Sequence, residues 1–136
     1  MVDNAIITLN SKQNDEEEIK VVTPGAFYEE EGVFHAKYEE TEVSGMEGTT
    51  TILKIEKEKF SLIREGSITT NMNFEKNHQE DILYSTPHGG LSLKLRTKAL
   101  KIDVNNDGGD IHIEYEMVVQ GQEVLYTTLD INIKKL

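Results

Sequence analysis

Two charged residues sit where the surrounding pattern calls for apolar ones. Glu40 continues the alternation of Phe34, Ala36 and Tyr38, and Arg64 continues that of Phe60 and Leu62. Both therefore fall in phase with an apolar stripe, and a buried charge needs a partner because desolvation alone costs several kcal/mol. One resolution is an internal Glu40–Arg64 pair near a barrel mouth, or exposure of both at strand ends. The other is that Arg64 receives the carboxylate or phosphate of a ligand. In that case Tyr38, Glu40, Met72, Phe74, Tyr84, Thr97 and Tyr115 line the cavity beside Arg64, although each also suits an ordinary core. Glu40 as a general base has neither a nucleophile nor a metal to work with. No catalytic residue and no cofactor is expected, and an enzyme is the less favoured class.

Asp103, Asn105, Asp107, Gly108 and Glu114 match the calcium-loop spacing D-x-[DN]-x-[DN]-G-x5-E. Hard oxygen ligands at alternate positions can converge on Ca²⁺, but that loop sits between helices. Here both flanks alternate as strands, and Glu114 falls inside the apolar-striped segment Ile111–Val119. The segment reads as an Asn/Asp/Gly hairpin turn instead. His35, His78, His88 and His112 form no HxH or HExxH spacing, and no cysteine supplements them, so no metal site is expected. A serine-hydrolase elbow is absent as well; Ser44-Gly45-Met46 does not supply one.

The elements that must position these residues are strands. Period-2 alternation runs through Ala5/Ile7/Leu9, Thr51/Leu53/Ile55, Ile68/Met72/Phe74, Leu91/Leu93/Leu95, Ile111/Ile113/Tyr115/Met117/Val119 and Leu125/Leu129/Ile131/Ile133. His112, Glu114 and Glu116 fall opposite the longest stripe. Gly32, Gly45–Gly48, Gly66, Gly89-Gly90, Gly108-Gly109 and Gly121 punctuate the runs, and Asp15–Glu18 reads as a solvated hairpin loop. Connections this short join antiparallel neighbours. About eight to ten strands in sequential hairpins predict an up-and-down meander, and closure into a barrel hides its edges; a β-sandwich is the alternative. After Leu95 the apolar phase switches to Leu100 and Ile102, which predicts a bulge near Thr97–Ala99. Thr51, Thr70, Thr86 and Thr97 fall on the interior face and hint at a partly polar cavity.

The chain has 136 residues, which fits one domain over 1–136. Without cysteine there are no disulfides, which favours a reducing compartment and hence the cytoplasm. Met1–Gln13 has no basic n-region or apolar core of a signal peptide, and no apolar run is long enough for a membrane helix. A net charge of −11 repels phosphate backbones and anionic lipid, so neither nucleic acid nor membrane is expected as a partner. The basic alternation Lys94, Arg96, Lys98 and Lys101 reads as the solvent face of one strand.

Tyr38-Glu39-Glu40-Thr41, Gly45-Met46-Glu47-Gly48 and the run Thr49–Thr51 are followed by Ile63-Arg64-Glu65-Gly66, Met72-Asn73-Phe74, Tyr84-Ser85-Thr86 and Gly89-Gly90-Leu91. Glu114-Tyr115 and Leu129-Asp130-Ile131 close the series. In this order the segments resemble the YwiB-like family, small bacterial proteins of unknown function, from about Phe34 to the C-terminus. The resemblance implies a calycin-type barrel, related in architecture to lipocalins and fatty-acid-binding proteins. It brings no catalytic residues, and it does not bring those proteins' ligands. The leading expectation is a binding module holding a small, largely apolar ligand with an anionic group. The alternative is a filled barrel that acts through its surface or as a homodimer.

Overall fold

The structure is a computed structural model and describes residues 3–119 and 124–136, apart from the side chain of Val43. Ten strands account for nearly all of it. They are β1 (Ala5–Gln13), β2 (Ile19–Glu30), β3 (Val33–Glu39), β4 (Thr49–Ile55), β5 (Lys59–Gly66), β6 (Thr70–Glu75), β7 (Gln79–Thr86), β8 (Gly89–Asn105), β9 (Gly108–Val119) and β10 (Val124–Lys135). One 3-10 turn, Glu42–Ser44, interrupts the β3–β4 connection. The alternation works as anticipated: on β9, Ile111, Ile113 and Tyr115 are buried while His112 and Glu114 face outward. Burying one face of each strand is what fixes its register, since a one-residue slip would reverse every side chain.

All pairings are antiparallel between sequence neighbours, and β1 also pairs with β10 from Ala5↔Lys135 to Gln13↔Thr127. The first strand therefore closes the barrel rather than capping its mouth. The sheet order β6-β5-β4-β3-β2-β1-β10-β9-β8-β7 leaves one seam, between β6 and β7. A single bridge crosses it, Thr69↔Ser85. Side chains do the rest: Glu80 accepts from Asn73 N at 2.9 Å, and Thr97 Oγ1 accepts from Glu75 N at 3.4 Å. The bulge expected in β8 lies between Thr97 and Ala99.

One core runs around the barrel, with Ile7, Leu53, Phe60, Leu62, Met72, Phe74, Leu95 and Ile113 among its fully enclosed side chains. The calcium-like segment is a hairpin turn: Asn105↔Gly108 are paired across it, and Asn105 Oδ1 accepts from Asp107 N at 2.8 Å. Three readings of the sequence need correction. Leu91 is half exposed, because the β7–β8 hairpin runs on past the end of the core stripe. Thr86 does not line the interior; its hydroxyl donates to Gly89 O and closes the hairpin turn. Glu116 is buried, not wet: Arg96, its cross-strand partner, holds Nη1 3.8 Å from its carboxylate, and Lys98, in the bulge, holds Nζ at 3.0 Å. The turn expected at Gly121 lies outside the described residues.

Candidate functional site

In a meander, alternate strand ends meet at one end of the barrel. The C-terminal halves of β3, β5, β7 and β9 and the N-terminal halves of β4, β6 and β10 bring together Tyr38, Glu40, Thr51, Arg64, Thr70, Tyr84, Tyr115 and Thr127. The other end is apolar, with Phe27 stacked on Phe34 and Phe60 on Phe74. Most of the polar side chains inside this barrel therefore gather at one end, Thr97 at the seam being an exception.

Glu40 and Arg64 both face inward. The side chain of Glu40 is 2% exposed and that of Arg64 16%. They sit on neighbouring levels because Tyr38 pairs with Thr51 and Thr51 with Arg64 across adjacent strands. The Thr51 hydroxyl donates to Glu40 Oε2. Arg64 Nε lies 3.8 Å from the same oxygen, close enough for attraction and too far for a hydrogen bond. Arg64 Nε is buried and has no hydrogen-bond partner. The same holds for Thr70 Oγ1, on the residue paired with Arg64, and for Thr127 Oγ1, on the residue paired with Tyr115. The fourth such atom, Arg96 Nε, is on the outer face.

Burial pushes the Tyr38 phenol far above its ordinary value, with the Glu40 charge adding to the rise. Burial also raises Tyr115, while Arg64 and the adjacent Thr127 pull it partly back. Both phenols stay neutral at physiological pH and can each donate one hydrogen bond to an acceptor in this space.

Gly66, two residues after Arg64, shapes the rim. Its φ is +135°, and a Cβ there would lie 2.1 Å from Gly48 O, so only glycine lets the β5–β6 turn close against β4. A groove of about 490 Å³ opens beside it along the β6–β7 seam. Its walls include outward-facing Glu65, Asn71 and Leu83 and also inward-facing Arg64, Thr70 and Ile82. Residues from both faces of the sheet therefore border this groove.

Of the residues singled out in the sequence, Tyr38, Glu40, Arg64, Tyr84 and Tyr115 come together. Met72 lies deeper, across from Leu62, and Phe74 is the aromatic floor under Tyr115, with ring centroids 4.8 Å apart. Thr97 is drawn into the seam. Thr127 was missed because it interrupts the apolar phase of Leu125, Leu129 and Ile131; that interruption of an inward stripe by a hydroxyl was the available signal.

Comparison with known proteins places the chain in a family. The family model described as "Domain of unknown function (DUF1934)" matches residues 5–131. The chain belongs to this family. It is 28% identical over 123 residues to the uncharacterized β-barrel protein YwiB of Bacillus subtilis (strain 168), covering 86% of this chain and 84% of that protein. The crystal structure of the Bacillus subtilis ywiB protein superposes with a TM-score of 0.85 at 22% identity, covering 98% of this chain and 92% of that one. The family is thus the YwiB-like one that the motifs suggested, and the ten-stranded antiparallel barrel is its fold.

On the outer wall a second polar cluster is built on β9 and β10. His112 Nδ1 lies 2.5 Å from Asp130 and its Nε2 3.0 Å from Glu114. A carboxylate stands beside each nitrogen, which favours the imidazolium: the hydrogen bond to Asp130, then that to Glu114, raises its pKa above the ordinary value. Among the described residues no group of three His, Asp or Glu is arranged to hold a metal ion. Because the folded pKa lies above the unfolded one, the stabilisation is complete below pH ~6.5 and disappears as pH rises through the folded value. Urea midpoints of the wild type and His112→Asn are expected to differ more at pH 5.5 than at pH 8.5. The gap is small because the cluster is solvated, and it shrinks in high salt. An equal gap at both pH values would remove the imidazolium from this account.

Proposed function

We propose that this protein binds a small amphipathic molecule bearing an anionic group, held at the polar end of the barrel with Arg64 as the receiving cation. The observation that carries this reading is the pair of buried polar atoms without partners in one wall, Arg64 Nε and Thr70 Oγ1. Buried donors without partners are rare in folded proteins, and each lost hydrogen bond costs about 1–3 kcal/mol. A carboxylate between Arg64, Thr70 and the Tyr38 and Tyr115 hydroxyls would satisfy them together. The filled lower core leaves only the polar end and the seam groove for the rest of the molecule.

Anilinonaphthalene sulfonate, an apolar anion whose fluorescence reports binding, tests this. It should bind the native protein one to one. Arg64→Gln should weaken it about 10- to 100-fold, the range of a hydrogen bond to a charged group. Thr70→Val, which keeps the shape and removes the hydroxyl, should weaken it in parallel. Undiminished binding by folded Arg64→Gln would refute the proposal and favour a filled barrel acting through its surface. For that reading the half-exposed Leu91 and the exposed Leu83 of the β7–β8 hairpin are the natural contact points.

A further inference from the structure

The seam groove carries its own charge pattern, and it narrows the class of ligand. One cation faces it, Arg64. Around that cation stand three carboxylates: Glu65 on β5 and Glu80 and Asp81 on β7. Glu80 is committed to the wall, accepting from Asn73 N and Nδ2, with His78 Nε2 3.8 Å away. Glu65 and Asp81 form no ion pair among the described residues. Across the gap, β6 pairs only with β5 and β7 only with β8, apart from the bridge at Thr69↔Ser85. Thr70, 4% exposed, borders the same space, and its buried hydroxyl has no partner among the described residues.

A simple anion approaching Arg64 through this groove must pass Glu65 and Asp81, of which only Asp81 has a cation opposite it in the sheet, Lys94, and Glu40 lies behind the guanidinium. A dianion such as a phosphate monoester is repelled more strongly still. A molecule that brings its own cation meets no such barrier.

We infer that the ligand is a zwitterion that docks in the β6–β7 seam, its carboxylate on Arg64 and Thr70 and its ammonium group facing Glu65 and Asp81. This rests on the reading of Arg64 as an anion receiver and adds the second charge and the lateral route. The apolar middle of such a molecule lies over Ile82 and Leu83, which accounts for a leucine left 63% exposed beside the groove.

The test uses three probes of one length: ε-aminocaproate, caproate and hexylamine, titrated into the isotopically labelled full chain at low salt and followed by amide shifts. The expected ranking is ε-aminocaproate first, caproate about threefold weaker, the modest worth of exposed ion pairs, and hexylamine more than about tenfold weaker. Shifts should cluster at Thr70, Asn71, Asp81 and Leu83. Asp81→Asn, at an exposed position, should bring ε-aminocaproate down to the level of caproate and leave caproate unchanged or improved. If caproate matches ε-aminocaproate and still depends on Arg64, the zwitterion is overturned and the anion receiver stands. If the three probes shift nothing at millimolar concentration while anilinonaphthalene sulfonate binds through Arg64, the seam is overturned as the docking place. If no probe binds at all, both readings fall.

Discussion

Phe74→Ala is expected to lower the stability of the barrel by about 3–5 kcal/mol, the range for removing a fully buried aromatic ring. Phe74 has no exposed surface. Its ring stacks on Phe60 at 5.9 Å and tilts against Tyr115 at 4.8 Å, linking β5, β6 and β9 across the interior. Those strands lie on opposite sides of the seam, where one bridge and three side-chain hydrogen bonds replace a ladder. The barrel is therefore held shut at this point largely by core packing, and neighbouring side chains on two separate walls cannot collapse far into the space left by the ring. For a domain whose whole stability is about 5–15 kcal/mol, such a loss is a large fraction. It should appear as a urea midpoint reduced by a third or more at unchanged slope. Leu83→Ala, at an exposed position on the same seam, should stay within about 0.5 kcal/mol. A loss below about 1 kcal/mol for Phe74→Ala would mean that the aromatic stack does not hold the seam.

The barrel was legible because almost every strand obeys one rule, apolar residues at every second position. The bulge at Thr97–Ala99 showed itself the same way, as a change of phase. Where the sequence misled, a side chain was governed by something other than its phase. Glu116 is on the outer face as its position demands, yet its cross-strand partner Arg96 and Lys98 from the bulge both reach its carboxylate, and no pattern within β9 records what β8 does. Leu91 has the right parity and the wrong height, standing beyond the level at which the opposite wall supplies neighbours. The inward charge of Glu40 and Arg64 was readable from phase alone. The seam was not, because the position of a missing ladder in a meander depends on where the first strand pairs, and that is a property of closure. The groove, with its mixture of inward and outward residues, is a consequence of the seam and stayed equally hidden.

The Glu40–Arg64 pair gives the remaining large effect. Arg64→Ala leaves the Glu40 carboxylate almost wholly buried with Thr51 as its hydrogen-bond donor. Breaking a buried ion pair costs about 3–5 kcal/mol when the survivor is sealed from water. Here the partner was 16% exposed and 3.8 Å away, so about 2 kcal/mol is expected. Glu40→Gln should cost less, about 1 kcal/mol, because an amide still accepts from Thr51 and the guanidinium can reach water at the rim. The double variant Glu40→Gln/Arg64→Gln should then be more stable than the two single losses predict, by at least about 0.5 kcal/mol. Strict additivity would show that the two charges do not interact in the folded protein. The same variants separate structure from binding. If Glu40 competes with an incoming anion for Arg64, Glu40→Gln should be destabilised and yet bind anilinonaphthalene sulfonate about tenfold more tightly, since a neighbouring negative charge has gone. Weaker binding by Glu40→Gln would instead make the carboxylate part of the receiving surface, and Arg64 would be its support. Stability and affinity moving in opposite directions on a single substitution is the signature expected of a site that keeps its cation only partly satisfied.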